Sequence, residues 1–283
     1  MHTMKQPAGM GANQSKNRND KCRRLKLLSY NIQVGISTNR HFDYIAQSWK
    51  HIIPHTGRHE NLRSIARLIR DFDIVGLQEL DGGSFRTNYI NQTEYLAQAG
   101  GFRYWHDKIN RNIGSLAKHS MGVLSKLEST SVSRHPLPGR IAGRGALVVE
   151  FGVRPSALAL MLVHLSLGKK ARMRQVDYLC DLVAQFDHVV LMGDMNCQAD
   201  SVEIQLLKMR TGLISSESAR PSYPSWNPTR RIDHILVSPS IAIEETRVLD
   251  YSFSDHLPVA MMIALPESFE LGGEDSLLCR TAA

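Results

Sequence analysis

Apolar positions in this chain follow two rhythms. Short, nearly unbroken runs of β-favouring residues predict buried strands over 25–34, 73–79 and 189–192. The last run breaks at Gly193 and delivers Asp194 and Asn196, which extended backbone would turn to the same side. Elsewhere the apolar residues recur at helical spacing. Leu62, Ile65, Ala66 and Ile69 predict a helix over 62–70 with Asn61 as its N-cap, and Val176, Leu179, Leu182, Val183 and Phe186 predict another over 172–186. Shorter helices are expected over 41–53, ended by Pro54, over 92–99, stopped by Gly100-Gly101, and over 201–208, where Asp200 and Glu203 have the spacing of a capping box.

The middle of the chain changes character. Strand-like runs at 121–125, 130–135, 145–153 and 158–167 succeed one another with only Gly, Pro and Arg between them, a closeness that favours antiparallel pairing. Strands at 231–238, 246–251 and 258–265 complete the pattern. β-α-β units combined with hairpins predict an α/β fold of two mixed sheets packed on each other with helices outside. A single doubly wound parallel sheet is the alternative, and the neighbouring strands from 121 to 167 count against it. No repeat and no Pro/Ser-rich linker divides the chain, so one domain is expected over 25–265, between a basic tail (1–24) and a flexible C-terminal tail (266–283).

Charge and composition narrow this little. With 283 residues, 42% of them apolar, the chain has ample material for a core. The longest apolar run, 157–167, is interrupted by His164 and Ser166 and is far short of the roughly 20 residues that span a bilayer. The first residues hold no apolar stretch of a secretory leader. The net charge is +7, but residues 1–24 set six basic side chains against Asp20 alone. Five of the seven charges therefore lie in the tail, and the remaining two argue weakly for nucleic acid as a partner of the folded part. Cys22, Cys180, Cys197 and Cys279 form no C-x-x-C pair and no zinc spacing, which reads as reduced thiols in a cytoplasmic protein, taken here as a monomer.

The chemistry is carried by polar residues placed where apolar strands end: Asn31, Glu79, His164, Asp194 with Asn196, Asp233, and Asp255-His256. An unpaired carboxylate or imidazole in such a setting costs several kcal/mol. One could be a satisfied core residue; so many strands ending this way predict a shared site. His234 follows Asp233 on the same strand and should point to the opposite face. Arg140, Arg144, Arg230 and Arg231 flank the strands as candidate phosphate ligands, or as solvated cations. Trp226 could stack on a substrate or anchor a loop. There is no G-x-S-x-G, no H-E-x-x-H and no P-loop.

The ordered set Ser-Tyr-Asn31, Gln-Glu79, His164-Leu, Gly-Asp194-Met-Asn196, Ile-Asp233-His and Ser-Asp255-His256-Leu-Pro resembles the endonuclease/exonuclease/phosphatase superfamily, across about residues 27–262. That family includes deoxyribonucleases, abasic-site endonucleases, neutral sphingomyelinases and inositol polyphosphate 5-phosphatases. The resemblance implies a four-layer αββα sandwich and hydrolysis of a phosphoester with Mg²⁺ or Mn²⁺. It assigns Glu79, Asn31 and Asp255 to the metal, Asp194 and Asn196 to the attacking water, and Asn196 to a substrate oxygen; Arg144, by its own place beside a strand, is taken as a further substrate contact. His256 would meet the scissile phosphate, oriented by Asp233, and His164 would be an acid or a phosphate ligand. Two departures stand out. The second glutamate that pairs with the His164 equivalent in the deoxyribonuclease branch has no clear counterpart, and Ser120-Met-Gly122 replaces a Gly-Asn common before the central strand. The expected activity is that of a phosphodiesterase acting on nucleic acid or on a small phosphorylated or lipid headgroup. The alternative is an inactive binding module on the same fold.

Overall fold

A computed structural model describes residues 24–35, 56–139, 143–217, 220–267 and 269. The helix expected over 41–53, Arg140, Cys22, Cys279 and nearly all of both tails lie outside the described residues. In chain order the elements are β1 (Arg24–Asn31), α1 (Thr56–Ile69), β2 (Ile74–Asp81), α2 (Gln92–Gly100), β3 (Tyr104–Ile113), β4 (Ala117–Ser125), β5 (Ser131–Pro136), β6 (Gly145–Phe151), β7 (Leu158–His164), α3 (Lys169–Val183), β8 (His188–Asp194), α4 (Val202–Thr211), β9 (Asp233–Val237), β10 (Ala242–Val248) and β11 (Val259–Ala264).

The strands form two mixed sheets, ordered β10-β11-β1-β2-β4-β3 and β5-β6-β7-β8-β9. Strand periodicity sorts their side chains into layers. Leu27 of β1 and Ile74 of β2 join Leu160, Leu162, Val190 and Met192 of the second sheet in a central core. Their neighbours Leu28 and Val75 face outward onto Leu62, Ile65 and Ile69 of α1 and Leu96 of α2. On the other flank Val176, Leu179 and Val183 of α3, with Ile204 and Leu207 of α4, cover Ala159, Met161 and Leu191. The result is the expected αββα sandwich, and the single doubly wound sheet is excluded. The sheets approach closely enough that a Cβ on Gly76 would fall 2.5 Å from Met192 Cε and 2.7 Å from Leu162 Cδ1. A side chain there would force the layers apart.

Three local expectations need correcting. Asn61 is not a cap: α1 begins at Thr56, and the Asn61 side chain donates instead to the Gly35 (3.0 Å) and Phe253 (2.7 Å) carbonyls. The N-cap of α4 is Ser201, which accepts from the Ile204 amide, while Glu203 turns to the Arg172 guanidinium at 2.9 Å. Strand β3 is absent from the apolar pattern. Its sequence, Tyr-Trp-His-Asp-Lys-Ile-Asn-Arg-Asn-Ile, carries few apolar residues because it is the edge of its sheet and no residue of it is fully buried.

Candidate active site

The rim of the sandwich collects the strand ends. β1 pairs parallel with β2, β7 pairs parallel with β8, and β9 runs back alongside β8. The β7–β8–β9 register places His164 beside Asp194 and Asp194 beside Asp233, so one row across the second sheet presents an imidazole and two carboxylates. Gly193, with φ +142°, precedes this row. A Cβ there would lie 1.9 Å from the Val163 carbonyl oxygen, so only glycine fits.

From the first sheet, Glu79 reaches the same rim through a bulge. The β2–β4 register shifts between Leu77 and Leu80, and Glu79 takes a left-handed φ of +54°. The loop beyond it is pinned by buried Asp81, which accepts from Arg86 Nε (2.5 Å), Ser84 Oγ (2.7 Å) and the Gly83 amide (2.9 Å). Burial raises the Asp81 pKa, but Arg86 and Ser84 outweigh it and hold the carboxylate below its ordinary range. Asn196, also left-handed at φ +52°, donates its amide hydrogen to Asp194 Oδ1 (2.9 Å) and its Nδ2 to the Leu165 carbonyl (2.9 Å).

The two halves meet at Asp194 and His256. Asn31 Nδ2 donates to Asp194 Oδ2 at 3.2 Å, His164 Nε2 lies 3.4 Å from that oxygen and His256 Nε2 3.8 Å from it. His256 Nδ1 is bonded to Asp233 at 2.9 Å, and Ser222 Oγ donates to the same carboxylate at 2.5 Å. Tyr223 stacks obliquely on the His256 ring, with centroids 4.8 Å apart. Ser222 and Tyr223 carry no signal in the sequence, where they sit in an unpatterned loop. His234 points to the opposite face and bonds the Cys197 carbonyl at 2.9 Å.

Electrostatics divides these groups. Burial alone would depress His256, but the Asp233 charge and hydrogen bond, with Asp194 and Asp255 adding, push its pKa up to about 10. It is an imidazolium at neutral pH. Burial also pushes Asp194 up to about 7 against the opposing pull of His256, and Asp255 up to about 6, with Glu79 raising it further. His164 is held well below its ordinary value by burial and by Arg144, whose Nη1 lies 2.8 Å from Nδ1 and 2.7 Å from Nε2 of the ring. A ring in that state is neutral near pH 7 and has no proton to give as an imidazolium.

The donor set fits a hard divalent cation. Among the described residues Asp194, Asp233 and His256 bring potential ligand atoms within 4.8 Å of one another. Asp233 and His256 already satisfy each other, however, so that trio is the weaker choice. The Glu79 carboxylate accepts no hydrogen bond among the described residues, lies 3.8 Å from His164 Nε2, and by its charge disfavours ionised Asp255. An oxygen-seeking cation relieves both. Glu79, His164 and Arg144 also form one wall of an open cavity of about 670 Å³.

Two face-packed mixed sheets with this acid-and-imidazole seam between their strand ends define the αββα sandwich class. A model of the endonuclease/exonuclease/phosphatase family matches residues 28–256, and the chain belongs to that family. Its members generally hydrolyse phosphoester bonds. Among solved structures, an endonuclease/exonuclease/phosphatase protein from Beutenbergia cavernae is similar at TM-score 0.68 and 21% identity, over 86% of this chain and 72% of that one. A mannosyl-6-phosphatase from Bacteroides thetaiotaomicron aligns at 0.64 and 18%, over 85% and 100%. Sphingomyelinase C from Streptomyces griseocarneus aligns at 0.60 and 17%, over 86% and 99%. No curated protein matches the sequence. No helix among the described residues is long and apolar enough to cross a membrane.

Proposed function

We propose that this chain is an Mg²⁺- or Mn²⁺-dependent phosphoester hydrolase, with 25–265 as the working unit and a phosphodiester as the favoured substrate. The observation that carries the reading is the buried Asp194 carboxylate 3.8 Å from an imidazolium that Asp233 holds at 2.9 Å. This pairs a base of near-neutral proton affinity with a fixed positive charge.

Asn31 and the Asn196 amide orient Asp194, which accepts the proton of the attacking water. Asn196, its nitrogen fixed on Leu165, keeps its side-chain oxygen for that water. His256 engages Asp233 through Nδ1 and has Nε2 left for a phosphate oxygen. Arg144 and the neutral His164 hold further oxygens as negative charge builds in the transition state. Glu79 and Asp255, with Asn31 beside them, would hold the divalent cation, which supplies Lewis-acid neutralisation of the phosphoryl charge. The cavity beside Glu79 gives room for one ester arm.

The test is hydrolysis of bis-p-nitrophenyl phosphate. Activity should disappear with EDTA and return with Mg²⁺ or Mn²⁺, and Asp194→Ala and His256→Ala should each lower kcat by about a hundredfold or more. Undiminished turnover after complete chelation would refute the mechanism. Binding of phosphoesters without any turnover would favour the inactive-module reading.

A further inference from the structure

The cavity beside the site has a charge character that the whole-chain count conceals. Arg111 of β3, Arg144 ahead of β6, and Lys170 and Arg174 of α3 all line it, and the carboxylate among its lining residues is Glu79 at the catalytic end. His119 lines it too, but burial and Arg86 lower its pKa, so it adds no charge at neutral pH. Among the described residues the side chains of Arg111, Lys170 and Arg174 form no hydrogen bond and no ion pair. Lys169, at the start of α3, is likewise without an ion pair among the described residues, but two other cations nearby are paired. Arg172 meets Glu203 at 2.9 Å, and Arg210 of α4 meets Asp177 at 2.7 Å and Asp181 at 3.3 Å.

Lys170 and Arg174 are four residues apart on one helical face, where like charges repel and weaken the helix slightly. An arrangement that costs stability in the free protein is explained if something anionic lies between α3 and β3. A cavity of about 670 Å³ is in the size range that takes a small molecule. Its walls are the 166–168 loop and α3 on one side and the β3–β4 hairpin on the other. That shape receives a compact substrate arm.

We propose that Arg111, Lys170 and Arg174 form a subsite for a second anionic group carried on the substrate, so that the preferred substrates are small phosphodiesters bearing an additional phosphate. This rests on the hydrolase reading above, which places the scissile group at Asp194 and His256. Arg144 spans the two regions, touching His164 on one side and lining the cavity on the other.

The test compares two diesters that differ by one phosphate, glycerophosphoinositol and glycerophosphoinositol 4-phosphate. Their binding is measured by calorimetry with Mg²⁺ on the Asp194→Asn variant, which should not consume them. The 4-phosphate should bind at least about tenfold tighter, as new charge-assisted hydrogen bonds do. Lys170→Gln/Arg174→Gln, or Arg111→Gln with Arg174→Gln, should bring the ratio of affinities to within about twofold. Arg67→Gln/Lys126→Gln, which removes the same charge away from the cavity, should keep it. Equal affinities at the start, a ratio that survives both cavity variants, or no binding of either compound would overturn the subsite. Tighter binding of a short single-stranded DNA than of the 4-phosphate, lost in the same variants, would overturn the small-molecule occupant. Parallel turnover of bis-p-nitrophenyl phosphate by the wild type separates the two readings. Turnover with equal affinities removes the subsite alone. A tenfold ratio without turnover removes the hydrolase and leaves the subsite standing.

Discussion

Replacing Asp233 with asparagine takes one charge from beneath the His256 ring while keeping the side chain's size. In the native site the imidazolium is buried, and its pKa stands near 10 because the Asp233 charge and hydrogen bond at 2.9 Å, with Asp194 and Asp255 adding, together outweigh the cost of burial. A buried opposite charge at that distance shifts a pKa by about 1–3 units. The Asp233→Asn substitution should therefore drop the His256 pKa by that interval, leaving burial opposed by the Asp194 and Asp255 charges alone. A raised folded-state pKa stabilises the native protein below about 6.5, and that contribution is lost as pH climbs through about 10. In the variant the loss starts from the same point but is smaller and complete about 1–3 units earlier. If protonated His256 is required, the alkaline limb of kcat/KM for bis-p-nitrophenyl phosphate should move down by the same interval. The imidazole proton resonances of His256 should titrate in step, a readout that needs no substrate. Stranding the charge should also lower stability at pH 6, by up to about 3–5 kcal/mol. An alkaline limb and a His256 titration both unmoved by Asp233→Asn would refute the reasoning.

Two further substitutions test the scaffold. His234 is buried and its pKa is depressed to about 4, so between pH 6.5 and 4 the unfolded chain takes up a proton that the folded one refuses. Stability should fall over that window by about 3 kcal/mol. His234→Gln, which can still donate to the Cys197 carbonyl, should flatten the acid limb of the urea midpoint; identical limbs would contradict this. Gly193→Ala must place a methyl 1.9 Å from the Val163 oxygen at φ +142° and should destabilise by about 3 kcal/mol or more. An unchanged melting temperature would show that the strand shifts freely.

Much of the sandwich was legible because β6, β7 and β8 are buried along their whole length and so read as continuous apolar runs. The site was legible for the converse reason: His164, Asp194 and Asp233 are polar residues interrupting or ending such runs, and strand pairing alone puts them in one row. What could not be read lies where burial gives no pattern. β3 is an edge strand of polar residues, so Arg111 had no element to stand on. α3 starts at Lys169, ahead of the apolar period that marks it, which hid Lys170 from the helix it belongs to. Ser222 and Tyr223 act through loop geometry that brings them under Asp233 and against His256, and no spacing encodes that. Asn61 looked like a cap because Asn often is one; its two long-range carbonyl partners come from segments far away in sequence.

Asn31, Glu79, Asp255 and His256 belong to one sheet or its approaches, and His164, Asp194 and Asp233 to the other. The Asn31–Asp194 and His256–Asp233 bonds, with Arg134 of β5 donating to the Asp107 carbonyl of β3 at 2.7 Å, therefore act as rivets between layers whose core contact is nonpolar packing, which is non-directional. These polar contacts fix how far one sheet may slide over its neighbour. Anything seated between them clamps both layers at once and, by mass action, resists their separation in proportion to its occupancy. Resistance to unfolding should thus rise with any occupant that binds only the folded protein, while one that touches both sheets should in addition oppose their sliding.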